Sequence, residues 1–241
     1  MSSPGQRHKL RVQATQGAEL AACTGIATGA VADSLHLQMI ALEQDIVRLR
    51  NLARIADRVN MKRSELMPKY RPYVERYLAS VAESGQPYQN ELFQRLIIWA
   101  FDIGDLETGI AWALLAIEQN QQTPNNIKRD WAHFVADTVL EWAVKQAAEG
   151  HAVEPWFSRV FDKVRNDWRI NERISAKWFK AAGCLLLRDH DGQPRPSAVG
   201  DSATLEQAAH WLSQAEKLHP KVGVNTLLQK IEMRLRVLNP E

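Results

Sequence analysis

Four basic side chains, Arg50, Arg54, Arg58 and Lys62, follow one another at steps of four. On an α-helix that step keeps side chains in one slowly turning row, because each residue advances by about 100°. A row of cations one turn apart suits the phosphates of a nucleic-acid backbone. Lys69 and Arg71 form a second basic group just beyond, and Arg7, Lys9 and Arg11 form a basic arm near the start. The same residues also fit a plain solvated helix face. Asp189-His190-Asp191 is the other cluster with chemical potential. Three adjacent side chains share a divalent ion only when further ligands join them, and Gly192 and Pro194 beside them equally suit a polar turn. The eight tryptophans fit either base stacking on a single strand or the packing of helical hairpins, and the second is the simpler expectation.

Signatures of catalysis are missing from the residues. No Gly-rich loop ends in Gly-Lys-Ser or Gly-Lys-Thr, so nothing would cradle a nucleotide triphosphate. Cys23 and Cys184 are the two cysteines, too few for a zinc cluster or a disulfide framework. The seven histidines are scattered. A nuclease gathers carboxylates around metal ions, and no strand-borne constellation collects them here. The residues therefore name no catalytic side chain, no metal ligand and no cofactor.

Positioning the cations requires a long helix. Asp33 and Ser34 offer its N-cap. Leu35, Met39, Leu42, Ile46, Leu49, Ala53, Ala56 and Val59 then recur at alternating steps of three and four, which is one apolar helix face. The cation row falls on the opposite side. We expect residues 33–70 to form one amphipathic helix ended by Pro68 and Pro72, with Leu35, Met39, Leu42, Ile46, Leu49 and Val59 packed between subunits. Self-association would multiply weak phosphate contacts into strong, salt-sensitive binding. Residues 1–32, rich in Ala, Gly and Thr after the basic arm, read as a flexible arm and linker.

Residues 71–241 read as helical hairpins. The expected spans are 71–83, 89–103, 106–120, 127–149, 155–168, 171–188, 203–218 and 223–238, separated by Gly and Pro. No run of alternating β-branched residues stands out, so the class is all-α. Leu106-Glu107, Trp112 and Ala116 repeat as Leu205-Glu206, Trp211 and Ala215 at an offset of 99 residues. That is about three tetratricopeptide periods of roughly 34 residues. Phe179, Ala182, Gly183 and Leu186 suit the first helix of such a repeat, and Ala208, Leu212, Ala215 and Pro220 its second. A generic hairpin with small residues at close contacts explains them as well.

The chain has 241 residues, 45% of them apolar and 24% charged, which is ordinary globular usage and excludes a mostly disordered chain. The net charge of +2 is uneven: 12 basic and 7 acidic residues in 1–80 give +5, and 18 against 21 in the rest give −3. A nucleic-acid contact is expected in the front portion. No signal peptide opens the chain and no apolar run approaches membrane-spanning length, so the expectation is a soluble protein of a reducing cytoplasm.

Several stretches, taken in order, resemble the small terminase subunit of P2-like (peduovirus-type) contractile-tailed phages. Ser3-Pro4-Gly5-Gln6-Arg7-His8 is similar to the family's Ser-Pro-Ala-Gln-Arg-His start. Arg63-Ser64-Glu65-Leu66-Met67-Pro68-Lys69-Tyr70-Arg71-Pro72 continues the likeness. Ile98-Trp99-Ala100-Phe101-Asp102-Ile103-Gly104-Asp105, with the Ala-rich helix to Ile117, carries it most clearly. Ala208 to Glu232 adds an Ala-x-x-x-Leu pattern and Val222-Gly223-Val224. The resemblance implies a genome-packaging adaptor in the cytoplasm of a bacterial host. It would bind the cohesive-end region of viral double-stranded DNA, form a homo-oligomer (a ring being one form) and deliver DNA to a large subunit carrying the ATPase and nuclease. Family members also bear the label of endonuclease subunit, so a metal-dependent endonuclease is one alternative. A tetratricopeptide-like interaction module without DNA contact is the other. Many small terminases carry an N-terminal helix-turn-helix, and none is evident in these residues.

Overall fold

The structure is a computed structural model, and the residues it describes are 28–239, with side chains from His36 onward. Arg7, Lys9 and Arg11, and the Leu35 side chain, lie outside that description. The described residues form helices joined by loops and contain no strand; Arg188 and Pro194 make an isolated bridge. The all-α class expected from the sequence is what the chain adopts. The described residues divide into two compact units: those up to 109 with 118–124, and 110–117 with those from 125 onward.

In the first unit α1 spans Thr28–Asn51. The continuous helix expected over 33–70 is interrupted after it. Leu52 to Arg54 leave helical geometry and α2, Ile55–Met61, begins behind an extended Arg54. No glycine or proline stands at this break. Instead the Arg58 guanidinium donates from Nε to the Leu52 carbonyl at 2.7 Å, serving a carbonyl that the end of α1 leaves without a helical partner.

The prolines do the opposite of what was expected. A π-helical turn, Lys62–Leu66, leads directly into α3, Met67–Ser84, with Pro68 in its first turn and Pro72 inside it. Pro68 follows the π turn without a break and lacks the N–H that a continuing helix would use. Ahead of it the Met67 N–H reaches back five residues to the Lys62 carbonyl, and this wider turn moves the preceding carbonyls away from the Pro68 ring. The helix ends instead at Gly85, whose φ of +67° is left-handed and whose N–H donates to Val81.

Helix α4, Glu91–Asp102, starts under the Asn90 side chain, which accepts from the Phe93 N–H. It supplies much of the unit's core: Leu92, Phe93, Leu96, Ile97 and Trp99 are buried with Tyr70 and Val74 of α3. Buried amides close the unit. Gln121 accepts from the Asn90 N–H and donates to the Tyr77 hydroxyl at 2.8 Å and the Tyr88 carbonyl at 2.6 Å. Burial, with Tyr88 beside it, pushes the Tyr77 hydroxyl up to about 12. The next helix, α5, spans Leu106–Glu118.

The second unit contains α6 (Trp131–Ala148), α7 (Trp156–Asn166), α8 (Glu172–Leu186), α9 (Ser202–Leu218) and α10 (Asn225–Leu238). Asp130, Asn171 and Asp201 cap α6, α8 and α9 through side-chain oxygens. Helices α8 and α9 form a close hairpin. A methyl group added at Gly183 would lie 2.7 Å from the Leu212 side chain and 3.1 Å from the Ala208 carbonyl, so only glycine permits this approach. Ala182, Ala208, Leu212 and Ala215 are buried along the same contact. The hairpin and its small residues are as expected from the sequence, although the structure does not establish a tetratricopeptide period.

Aromatic rings fill the rest. Phe157 lies 4.9 Å from Trp178, Phe161 stacks at 6.2 Å on Trp178, and Trp211 meets Phe161 and Phe179. The indole N–H of Trp178 donates to the Ala136 carbonyl, which satisfies the polar handle of a fully buried side chain. Trp99, Trp112, Trp131 and Trp178 are buried and the other four tryptophans half-buried. They pack helices, as the simpler expectation had it.

Candidate nucleic-acid interface

The break in the first unit disperses the cation row. Arg50 lies in the last turn of α1, Arg54 in the break, Arg58 on α2 and Lys62 at the start of the π turn. The step of four no longer describes one helix face, because the turn between Arg50 and Arg58 is not helical. Arg50 and Arg54 are exposed and make no ion pair among the described residues. The other candidates are engaged. Arg58 is held by the Leu52 carbonyl. Lys62 pairs with Asp102 at 2.6 Å, and its neighbour Arg63 donates to the Ile103 carbonyl at 2.7 Å. Two cations thus sit at the C-terminal end of α4, where a helix concentrates negative potential. Arg71 pairs with Glu75 at 2.9 Å.

Lys69 belongs to a clamp that the sequence did not announce. Asp45 of α1 is 3% exposed. Its carboxylate accepts from Lys69 at 2.6 Å, from the Tyr70 hydroxyl at 2.8 Å and from Arg48 at 2.9 Å. Burial alone would raise its pKa, but bonds from Lys69, Tyr70 and Arg48 outweigh that and hold it below the ordinary 3.8. The Tyr70 hydroxyl is pushed up to about 12 by burial and by the carboxylate it serves. These bonds join α1 to α3 and fix which side of α1 faces inward. The signal in the sequence was an acid set inside an apolar stripe, between Leu42 and Leu49.

The stripe expected between subunits packs in part within the chain. Leu42 and Leu49 are buried by the chain itself, at 1% and 7% exposure, and Met39, Ile46 and Val59 are half-buried. The inward face of α1 is therefore already covered, and its leucines are not a free surface for another subunit. Beside the break, an open cleft is lined by Arg48, Asn51, Asp57, Asn60 and Glu65. Charges of both signs line it, so it does not select a polyanion.

Asp189 serves a turn. It accepts from the Asp191 and Gln193 backbone N–H groups at 3.0 and 2.9 Å, and Arg195 pairs with it at 3.1 Å. The Gln193 contact and the Arg195 charge hold its carboxyl below the ordinary value. Among the described residues, no group of three or more His, Cys, Asp or Glu is placed to hold a metal ion. No helix among them is long and apolar enough to cross a membrane.

The described residues define an all-α chain with its excess of cations toward the front. Comparison with known proteins makes the class specific. Residues 39–173 match the family described as phage small terminase subunit, and the chain belongs to that family. It is 36% identical over 199 residues to the "Probable terminase, endonuclease subunit" of Haemophilus phage HP1 (strain HP1c1), an alignment covering 83% of this chain and 69% of the relative. It is 24% identical over 236 residues to the "Terminase, endonuclease subunit" of Escherichia phage P2, covering 98% and 87%. No solved structure matches the chain.

Proposed function

We propose that the chain is the DNA-recognising subunit of a packaging terminase in the cytoplasm of a phage-infected bacterium. It binds viral double-stranded DNA at the cohesive-end region, assembles with copies of itself and passes the DNA to a large subunit that carries the ATPase. Family membership over residues 39–173 is the observation that carries this reading. Among the residues expected to meet DNA, Arg50 and Arg54 are the primary contacts, because both are exposed and free of ion pairs among the described residues. Arg7, Lys9 and Arg11 extend the contact along the backbone. Arg58, Lys62, Lys69 and Arg71 contribute less, since each is drawn to an oxygen of its own chain.

The test is a fluorescence-anisotropy salt titration of wild type and Arg50→Gln/Arg54→Gln on viral-end and random duplexes. Each lost phosphate contact should weaken binding to both duplexes alike and reduce the salt slope by about one. A double variant with unchanged affinity and slope on both duplexes refutes the contact and favours an interaction module without DNA.

The names of both relatives favour a second reading, an endonuclease. Its test is incubation of the purified chain with duplex viral DNA and magnesium or manganese. We expect intact DNA. Cleavage that disappears on Asp189→Ala or Asp191→Ala would establish the nuclease instead.

A further inference from the structure

The outward side of α1 carries apolar residues that the fold leaves in water. Leu37, Ile40 and Val47 are 65%, 42% and 53% exposed. Gln44 and Asn51, both exposed, complete the series, so the five positions alternate in steps of three and four. At 100° per residue they fall within a sector of about 80° on the side opposite Leu42 and Leu49. This is the a/d spacing of a coiled-coil seam, with Leu37, Gln44 and Asn51 in one layer type and Ile40 and Val47 in the other.

The polar members say what covers it. In a parallel pair of identical helices in register, each seam residue meets its own counterpart. Gln44 then faces Gln44 of the second copy and Asn51 faces Asn51, and two amides satisfy each other because each offers a donor and an acceptor. An antiparallel pair would set these amides against the layer of Ile40 and Val47 and bury them unpaired. The flanking charges agree. Glu43 lies beside the seam on one side and Arg48 on the other, five residues further on, which is the spacing of opposite charges across a parallel pair. The Arg48 side chain is 57% exposed, with its guanidinium also bonded to Asp45 and Glu65 of its own chain, so it adds less than the amides do.

We propose that α1 pairs with α1 of a second copy of this chain, parallel and in register, along Leu37, Ile40, Gln44, Val47 and Asn51. The proposal rests on the self-assembly put forward above and names its surface. Because the seam is self-complementary, it closes a two-fold pair.

Light scattering on the full chain reads the mass of wild type and of Ile40→Glu/Val47→Glu. Both positions are exposed in the single chain, so circular dichroism should show the variant folded while its mass falls by half or more. A wild-type mass of one chain overturns both the seam and the assembly reading. An assembled wild type whose mass the double variant keeps overturns the seam alone. If the double variant fails to fold, Val47→Cys decides. In a Cys23→Ser/Cys184→Ala background, mild oxidation should give a covalent dimer on a non-reducing gel, because the two copies of this position meet across a parallel seam. Failure of the assembled protein to cross-link there overturns the register.

Discussion

In the first unit a buried carboxylate, Asp45, gathers a lysine, a tyrosine and an arginine and so joins α1 to α3. In the second, the bare backbone of Gly183 lets α9 approach α8 until Leu212 fills the space a side chain would occupy. The first device is electrostatic and the second steric. They differ in what disturbs them: a clamp of charges responds to protons and salt, whereas a close-packed hairpin responds only to changes of volume. Arg50 and Arg54, exposed cations among the candidates, lie in the electrostatic unit, where small changes of charge also change how helices are held.

The comparison is broken most severely in the second unit. Trp178 is fully buried, touches Phe157 and Phe161, and donates to Ala136. Trp178→Ala should cost ~4 kcal/mol, through lost contacts and the cavity left behind. Denaturant unfolding measures this, and the loss should stay nearly constant between pH 3 and 8, on the order of experimental error, because no titrating group is removed. A loss that varied strongly with pH would show that charge also governs the second unit.

A smaller and differently shaped effect is expected at the clamp. Asp45→Asn removes the charge that accepts three side-chain donors and should cost ~2 kcal/mol near neutral pH. Since the folded pKa lies below the ordinary 3.8, the stabilisation is complete above the unfolded value and is lost as pH falls through the folded one. The gap between wild type and Asp45→Asn should therefore be widest above about pH 5 and shrink below about pH 4. Unfolding curves at a series of pH values read this directly. A gap that stays constant down to pH 2.5 would mean that the carboxylate is not what holds α1 to α3.

Much of the helical architecture was legible because glycine and proline punctuate it and small residues mark the close contacts. Gly183 and Ala208 signalled a tight hairpin before any coordinates, and the expected spans of α4 to α10 fall within a few residues of those observed. The break after Asn51 was not legible, since no local breaker causes it; Arg58 reaching back to Leu52 is a tertiary preference. The helix through Pro72 was missed for a related reason. A π turn carries the chain into α3 ahead of Pro68, nothing in residue type alone announces it, and the helix then continues through Pro72.

The candidate site was legible in kind and not in arrangement. Cations near the front were visible, but which of them the fold leaves free depends on Asp102, Glu75 and Asp45, distant in sequence. The two faces of α1 show the same limit. Leu42 and Leu49 on one side and Leu37, Ile40 and Val47 on the other give a helix apolar on both flanks. Periodicity picked out the Leu42 and Leu49 stripe and passed over the second, and the bonds of Asp45 to Lys69 and Tyr70 show the first side turned toward α3.

The pairing of Lys62 with Asp102 at the end of α4 bears on the proposed contact with a polyanion. Asp102 acts as a counterion built into the fold, so Lys62 arrives at a phosphate already neutralised. Contact there exchanges one anion for another and exposes the end of α4, with little net gain. Arg54 carries no such internal counterion among the described residues. In the proposed DNA contact, two cations eight residues apart in the chain would thus have unequal standing, and the inequality comes from the end of a helix neither belongs to.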